Sequence, residues 1–437
     1  MNGKRKGMWL VGVGLLLCGA LVADNFFDGV DVNNVSAPAS SHLTPLASAE
    51  TIDKGRYLIQ AGNCIACHTA RGGAVMSGGR GIETPFGTVY SSNLTPDPAT
   101  GIGLWNAQHF WRAMHHGRSR DGRLLVPAFP YNHTTLITRD DTDAMFAWLM
   151  NQPAVGKAPT AHTLQWPVGT QAALAVWRAL YFQPGIFKPD ATRNAEWNRG
   201  AYLVQGLGHC AACHSPRNAL GASGAVNDLS GGLMPVVNWT APSLMDNAQT
   251  GLAETPLADI QTLLQTGKSG HHHTSGPMGE VVQYSSQFLQ PADLQAMAVY
   301  LKSQARLTPD KQGPSTSMAS RRLLPDVQTR GAALYDKHCA ECHGEQGLGL
   351  AGAYSALAGH RAVLQTDTTN LVQTVLYGGY PPATAGNPRP FGMPPYILTL
   401  DDKDIAAVLT HLRTQWGNRA PEVTPLEVNR IRASQGK

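Results

Sequence analysis

Three copies of the pattern Cys-x-x-Cys-His constrain this 437-residue sequence more than any other feature. They comprise Cys64, Cys67 and His68; Cys210, Cys213 and His214; and Cys339, Cys342 and His343. In this spacing, the two thiols form thioether bonds to the vinyl groups of a haem, and the adjacent histidine binds the iron. The motifs use six of the seven cysteines. The sequence therefore predicts three covalently bound haems c.

Zinc and a redox dithiol are the alternatives for Cys-x-x-Cys. A zinc site needs a second ligand pair to complete its tetrahedron. Outside the motifs only Cys18 remains, so two motifs would have to pair with each other. A thioredoxin-like dithiol would occur once and needs no adjacent histidine. Three recurrences with the histidine in place favour haem c.

The N-terminal 23 residues have the layout of a secretory leader. The basic residues Lys4–Lys6 precede an apolar run, Met8–Ala23, which contains Cys18. This run is shorter than the roughly 20 residues of a comfortable membrane span. Residues 1–23 are therefore predicted to be a cleaved signal peptide, with an uncleaved N-terminal anchor as the alternative. Export agrees with haem c, which bacteria attach outside the cytoplasm.

The surroundings of the three motifs also repeat, so the repeat is larger than the motif. Upstream of each motif lies a short helical stretch that opens with a glycine, at Gly55, Gly200 and Gly331, and downstream lie two further helices. The first of these ends at a glycine, in Trp105–Gly117, Leu257–Gly267 and Asn370–Gly378. The second is predicted at Asp140–Asn151, Ala292–Ser303 and Asp401–Thr414.

This pattern predicts an all-α chain with three class-I-like cytochrome c domains in series, each with one covalent haem c. A chain of this length is expected to form about three domains. Proline-containing stretches set the predicted boundaries. They give domains at 49–190, 191–306 and 327–425, with a linker at 307–326 that is rich in Ser, Pro and charged residues.

The proline-rich loop after each glycine-ended helix is predicted to carry the sixth ligand of its haem. A methionine opposite the histidine raises the potential of the iron. Met278 follows Gly267 by 11 residues, and Met393 follows Gly378 by 15. A lone methionine usually fills a gap in a core, but equivalent placement in two repeats favours ligation.

The first repeat departs from this pattern. Phe129 stands where the methionine is expected, and phenylalanine cannot bind iron. His133 follows Gly117 by 16 residues, close to the spacing of Met393. His133 is therefore the predicted sixth ligand of the first haem, and His/His ligation is expected to lower its potential. The alternatives are a five-coordinate haem, an ordinary loop histidine, or a ligand among Met76, Met114, His115 and His116.

Nothing else in the sequence indicates independent catalysis. The net charge is only +4 and no dense basic run follows the leader, so nucleic acid is not an expected partner. There are no paired carboxylates, nucleophile elbow or phosphate-binding loop of the kinds that catalytic sites require. No catalytic residue is predicted, and the chain is interpreted as an electron carrier.

With the repeats in place, residues 49–432 resemble the three-haem cytochrome c subunits of bacterial membrane-bound dehydrogenases. The stretches that carry the resemblance are Gly87–Pro96, Trp197–Val204, Gly206–Asn218, Gly276–Val282, Gly392–Pro395 and Trp416–Asn418. Such subunits accept electrons from a catalytic subunit that oxidises an alcohol, an aldehyde, gluconate or a related substrate. They pass the electrons to the membrane, usually to ubiquinone.

The resemblance implies a set of partners and a location. The partners are ubiquinone, the inner membrane and a catalytic subunit that carries molybdopterin, flavin or a quinone cofactor; a small iron–sulfur subunit is left open. The location is the periplasmic face of the inner membrane. Pro127–His133 and Ala385–Pro390 look most similar to cytochromes paired with molybdenum hydroxylases, which oxidise aldehydes or N-heteroaromatics such as nicotinate.

Two other functions stay open at this point. One is a peroxidase-like haem enzyme with an open first haem, for which peroxide turnover by the isolated chain would be the sign. The other is a free-standing periplasmic electron shuttle, against which copurification with a dehydrogenase would argue.

Overall fold

A computed structural model of the chain describes residue 19 and residues 47–270, 272–306 and 325–434. The predicted leader, apart from residue 19, lies outside these residues, as does 307–324 of the predicted linker. The described residues are mostly helical and also form three small antiparallel sheets. The expected all-α class needs correction to this extent, because loops that follow the motifs pair their backbone groups as short strands.

The first repeat begins with a helix capped by Ser48, whose side chain accepts a hydrogen bond from Thr51 N. In chain order, its elements are α1 Ala49–Ala61, α2 Cys64–His68, β1 Gly81–Thr84, β2 Gly87–Tyr90, α3 Ala107–His116, α4 Tyr131–Thr134, α5 Arg139–Met150, β3 Thr163–Leu164 and α6 Gln171–Tyr181. Strand β2 lies between β1 and β3, with Gly81 opposite Tyr90 and Gly87 opposite Leu164.

The second repeat has the same leading and closing helices, with short hairpins between them. Its elements are α7 Ala195–Tyr202, a π-helical turn Leu203–Leu207, α8 Ala211–His214, β4 Gly232–Met234, β5 Trp239–Ala241, α9 Asn247–Thr250, α10 Leu257–Thr266, β6 Lys268–Ser269, β7 His272–His273, α11 Pro277–Tyr284, a 3-10 turn Ser286–Phe288 and α12 Pro291–Gln304. Strand β4 pairs with β5, and β6 pairs with β7.

The third repeat is built from helices around one apolar core. Its elements are α13 Pro325–His338, α14 Ala340–His343, α15 Arg361–Leu364, α16 Thr369–Tyr377, α17 Asp402–Thr414 and α18 Pro425–Ser434. Tyr335, Leu376 and Leu409 belong to its core cluster. Val428 and Ile431 of α18 belong to the same cluster, so packing continues past residue 425, where the domain was expected to end.

The helices predicted downstream of each motif are confirmed. The structure places them at α3, α10 and α16, and at α5, α12 and α17, with ends within about two residues of those expected. The glycines that end α3, α10 and α16 are Gly117, Gly267 and Gly378, with φ of 59°, 79° and 63°. A side chain with a Cβ rarely adopts this conformation, so glycine ends each helix.

In each repeat, the helix before the motif touches the second helix downstream of the motif at a glycine, and these second helices, α5, α12 and α17, are called the closing helices. A Cβ atom at this glycine would overlap the carbonyl oxygen of an alanine in the partner helix: Ala144 for Gly55, Ala296 for Gly200 and Ala407 for Gly331. The upstream glycine of the sequence repeat is therefore a close-approach residue, which brings the helix before each motif against the closing helix.

We expect Gly200→Ala to lower the free energy of unfolding by about 2–3 kcal/mol, because the added methyl group forces the crossing helices apart. Urea unfolding followed by far-ultraviolet circular dichroism measures the change. Gly386→Ala is the matched control, since a Cβ there meets no atom within 4 Å. Equal stability of the two variants would contradict the close approach.

The chain groups into two compact units. The first comprises the chain up to Pro189 together with Gln205–His209 and Asn218–Ala222; the second comprises Asp190–Val204, Cys210–Arg217 and the chain from Ser223 onward. The second and third repeats therefore share one unit, and three separate domains in series are not established. Two short segments that flank the second motif belong to the unit of the first repeat.

Candidate haem sites

Each Cys-x-x-Cys-His motif forms a single helical turn. In α2, Cys67 and His68 follow Cys64 by three and four residues. Both side chains are therefore neighbours of the Cys64 side chain on the helix surface. The other two motifs are built in the same way, with Cys210 and Cys339 immediately before α8 and α14. This is the arrangement that two thioether bonds and one histidine ligand on the same macrocycle require.

The three motif histidines share one hydrogen bond. The Nδ1 atom lies 2.8 Å from Ser92 O in His68, 2.8 Å from Pro242 O in His214, and 2.9 Å from Ser355 O in His343. A carbonyl oxygen can only accept, so Nδ1 carries the proton and donates. Nε2 then has the lone pair, which is the state that a histidine needs to bind a metal.

Burial adjusts the titration of the same groups. It lowers the pKa of His68, His214 and His343, so these imidazoles are neutral at neutral pH.

Burial also raises the pKa of the first thiol of each motif, to about 12 in Cys64 and Cys210 and to about 11 in Cys339.

Two arginines support the motifs from outside. Arg80 donates from Nη1 to the carbonyl oxygen of Ala66, 2.6 Å away, and Arg217 donates from Nη2 to that of Ala212. Each alanine is the residue just before the second cysteine of its motif. These arginines were not predicted, although Arg217 lies inside the resembling stretch Gly206–Asn218. Each positions the helical turn that carries the two cysteines.

The structure places Met393 in the expected loop, whereas Met278 lies in a helix that begins directly after its loop. Met278 is half-buried in the first turn of α11, directly after Gly276–Pro277. Met393 is half-buried and packs against the core of the third repeat. Its backbone pairs with Gly379 on both sides, with N–O distances of 2.8 and 3.0 Å. Ligation by either sulfur stays a prediction.

Phe129 occupies the position of Met278 in the first repeat. Leu125 N donates to the carbonyl of the helix-ending Gly117 over 2.8 Å, and Thr274 N donates to that of Gly267 over 2.7 Å. Phe129 and Met278 both stand four residues after these donors. The structure thus supports the same alignment as the sequence spacing.

His133 lies one helical turn beyond Phe129, in α4, and is completely buried. Its Nδ1 is 3.0 Å from Gln205 O, a residue of the same compact unit. The bond is of the same kind as those of the three motif histidines and leaves Nε2 as the ligating nitrogen. His133 therefore stays the predicted sixth ligand of the first haem.

The structure also places the four alternative ligands. Met76 is fully buried with φ of 62°, and its N–H donates to Thr69 Oγ1, in the segment that follows His68 on the fifth-ligand side. His115 stacks on Trp111, with ring centroids 4.4 Å apart. Met114 is buried in α3, and His116 ends that helix. His133 stays the preferred candidate because its Nδ1 bonds to a carbonyl oxygen, as the Nδ1 atoms of the motif histidines do.

Other kinds of site are not seen among the described residues. Within them, no group of three or more His, Cys, Asp or Glu side chains is arranged to hold a metal ion. A search of the same residues for membrane spans finds no helix with the length and apolar character to cross a bilayer.

Comparisons with known proteins show which family the chain is similar to. The Cytochrome c family model matches residues 198–305 and 328–416. The cytochrome c subunit of an alcohol dehydrogenase (quinone) from Gluconacetobacter polyoxogenes is 38% identical over 405 residues, covering 89% of this chain and 86% of that protein. The gluconate 2-dehydrogenase cytochrome c subunit of Pantoea cypripedii is 35% identical over 407 residues, with 89% and 91% covered. A nicotinate dehydrogenase subunit of Pseudomonas putida is 39% identical over 403 residues, with 89% and 32% covered.

The motif helices, their fixed neutral histidines and the surrounding helix pairs define a c-type cytochrome. The chain belongs to the family of cytochrome c subunits of dehydrogenases. The resemblance drawn from its motifs is confirmed, and the electron-carrying interpretation with it.

Proposed function

We propose that the chain holds three haems c, one in each repeat, and carries electrons from a catalytic dehydrogenase subunit to ubiquinone at the periplasmic face of the inner membrane. The observation that carries this proposal is the threefold recurrence of one built site. All three motif histidines donate Nδ1–H to a backbone carbonyl 2.8 to 2.9 Å away. A single haem would not require three such sites.

The roles of the residues follow from their placement. Bound haem supplies the reversible one-electron chemistry of iron. The cysteines anchor the macrocycle, the motif histidines occupy one face of the iron, and Met278, Met393 and His133 are proposed for the other. Two imidazole ligands, in place of one imidazole and one thioether, would give the first haem the lowest potential of the three. That order suits entry of electrons at the first repeat.

The identity of the catalytic partner is the most specific part of the proposal. Relatives named for alcohol, nicotinate and gluconate oxidation lie at 38%, 39% and 35% identity, so identity does not separate them. We favour a molybdenum hydroxylase that acts on an aldehyde or an N-heteroaromatic, because Phe129 and the segment up to His133 depart from the methionine-ligand pattern. A small iron–sulfur subunit fits between such a hydroxylase and this chain.

Deletion of this chain is expected to abolish substrate-dependent reduction of ubiquinone by membranes while dye reduction by the catalytic subunit persists. The reason is that the dye takes electrons directly from the catalytic cofactor. The measurement compares the two activities in the deletion strain and in strains complemented with the native chain or with Gly386→Ala as a control. Cofactor analysis of the copurified complex identifies molybdopterin, flavin or a quinone.

Two results would count against this role. Unchanged ubiquinone reduction in the deletion strain, together with purification of the chain alone, would indicate a free-standing shuttle. Rapid peroxide turnover by the isolated chain would indicate a peroxidase-like enzyme.

A further inference from the structure

The second and third repeats dock through their predicted sixth-ligand loops. Gln287, in the 3-10 turn that follows α11, donates from Nε2 to Ala383 O over 3.1 Å and accepts from Ala385 N over 3.2 Å. Gln283 accepts from Ala383 N over 3.3 Å. Ala383 and Ala385 lie in the loop that leads to Met393. The side-chain amides of Gln283 and Gln287 in the second repeat thus form hydrogen bonds with the backbone of the third-repeat loop that leads to Met393.

A second contact fixes the register of the same two repeats. Asn370 accepts from Thr240 N over 2.9 Å and donates to Thr240 O over 2.7 Å. Gln373 donates to Asn238 O over 3.0 Å. Bonds to backbone atoms require one relative placement, since a shift of either repeat breaks several of them together.

A pair of histidines completes this interface. His273 Nδ1 lies 2.6 Å from His360 Nε2. His360 is buried, and its Nδ1 accepts from Ala362 N over 3.2 Å as the cap of α15. Because Nδ1 of His360 accepts, its proton is on Nε2. His360 is therefore the donor of the pair and His273 the acceptor.

The pair joins two segments that lead to haem ligands. His273 lies five residues before Met278, and the intervening chain is tied to α10 by the bond from Thr274 N to Gly267 O. His360 lies five residues after Ser355, whose carbonyl accepts from the Nδ1–H of His343.

We propose that His273 and His360 are positioning residues for electron transfer between the second and third haems. Their hydrogen bond holds the sixth-ligand loop of the second repeat against the fifth-ligand segment of the third. The inference rests on the proposed function, since it presumes that both repeats hold haem.

The test is the rate of electron equilibration between these haems after flash photoreduction of the full chain. His360→Asn retains a side-chain oxygen that caps α15 but is too short to reach His273. We expect this variant to equilibrate several-fold more slowly, because the rate of electron transfer falls steeply as the separation of the two haems grows. Haem content and the potentials of both haems are expected to stay unchanged.

Two further variants separate positioning from folding. His273→Asn keeps an acceptor at the Nδ1 position and is expected to equilibrate at close to the native rate. His272→Asn is the matched control, since the Nε2 of that adjacent histidine contacts Thr250 O of its own repeat over 3.0 Å. Should His360→Asn fail to fold, His273→Leu, which removes the acceptor, is expected to show the same slow phase.

Several results would overturn the inference. A native equilibration rate in His360→Asn, or in His273→Leu where that variant decides, would do so. A slow rate with a shifted potential of the third haem would also overturn it, since the effect would then lie on the haem itself. The proposed function fails differently: the native chain would then lack haem in one of these repeats or would not accept electrons from the dehydrogenase.

Discussion

Replacing Cys339 and Cys342 with alanine is expected to reduce the haem content of the exported chain from three per molecule to two. Without thioether bonds, the third haem would be held only by its axial ligands and by packing. Cys339 packs against the core of the third repeat, so its replacement by alanine also removes side-chain contacts from that core. The pyridine haemochrome assay, normalised to protein, measures the stoichiometry.

The same replacement in the other motifs provides an internal comparison. The pairs Cys64 with Cys67 and Cys210 with Cys213 are each expected to lose one haem when changed to alanine. Cys18→Ala is the control, because this cysteine lies in the predicted leader and in no motif. A native content of two haems, or an unchanged content in any double variant, would show that one motif does not attach haem.

Phe129→Met in a His133→Ala background, where the proposed histidine ligand no longer competes, is expected to raise the potential of the first haem above that of the native chain by on the order of 0.1–0.2 V, within the roughly 0.8 V that axial ligands span. Methionine at this position would place sulfur where Met278 stands in the second repeat, and a thioether ligand stabilises the reduced iron. Spectroelectrochemical titration measures the potential, and the near-infrared charge-transfer band of a methionine–iron bond identifies the ligand.

His133→Ala is expected to convert the first haem from a six-coordinate to a five-coordinate state, with the corresponding change in its magnetic circular dichroism. The physical basis is the complete burial of His133 and the bond from its Nδ1 to Gln205 O, which leaves Nε2 for iron. His162→Ala, a change to an exposed histidine of the same repeat, is the control. Unchanged ligation of the first haem in His133→Ala would remove His133 as the ligand.

Local patterns accounted for much of the architecture. The motif spacing, the helices after each motif and their terminal glycines were all predictable. A helix shows in the sequence as a repeated spacing of residue types, and a helix end with positive φ shows as a glycine. The recurring glycine in the first helix of each repeat was visible too. Only the structure shows that it faces an alanine carbonyl of the closing helix.

Other features carried no such mark. The short strands, helix α18 and the supporting roles of Arg80 and Arg217 were not predicted. A two- to four-residue strand has too few alternations to be distinguished from a loop. An arginine that donates to a backbone carbonyl leaves no trace in the residue type of its partner.

The sequence by itself determined the cofactor chemistry, since two thiols and a histidine at fixed spacing can be recognised without any knowledge of the fold. Only the tertiary structure decided how each histidine is held and how the second and third repeats dock. The carbonyl oxygens of Ser92, Pro242 and Ser355 accept the hydrogen bonds of the motif histidines. They lie 24, 28 and 12 residues along the chain from those histidines. Every residue has a carbonyl, so the chain path alone selects which of them reaches the site.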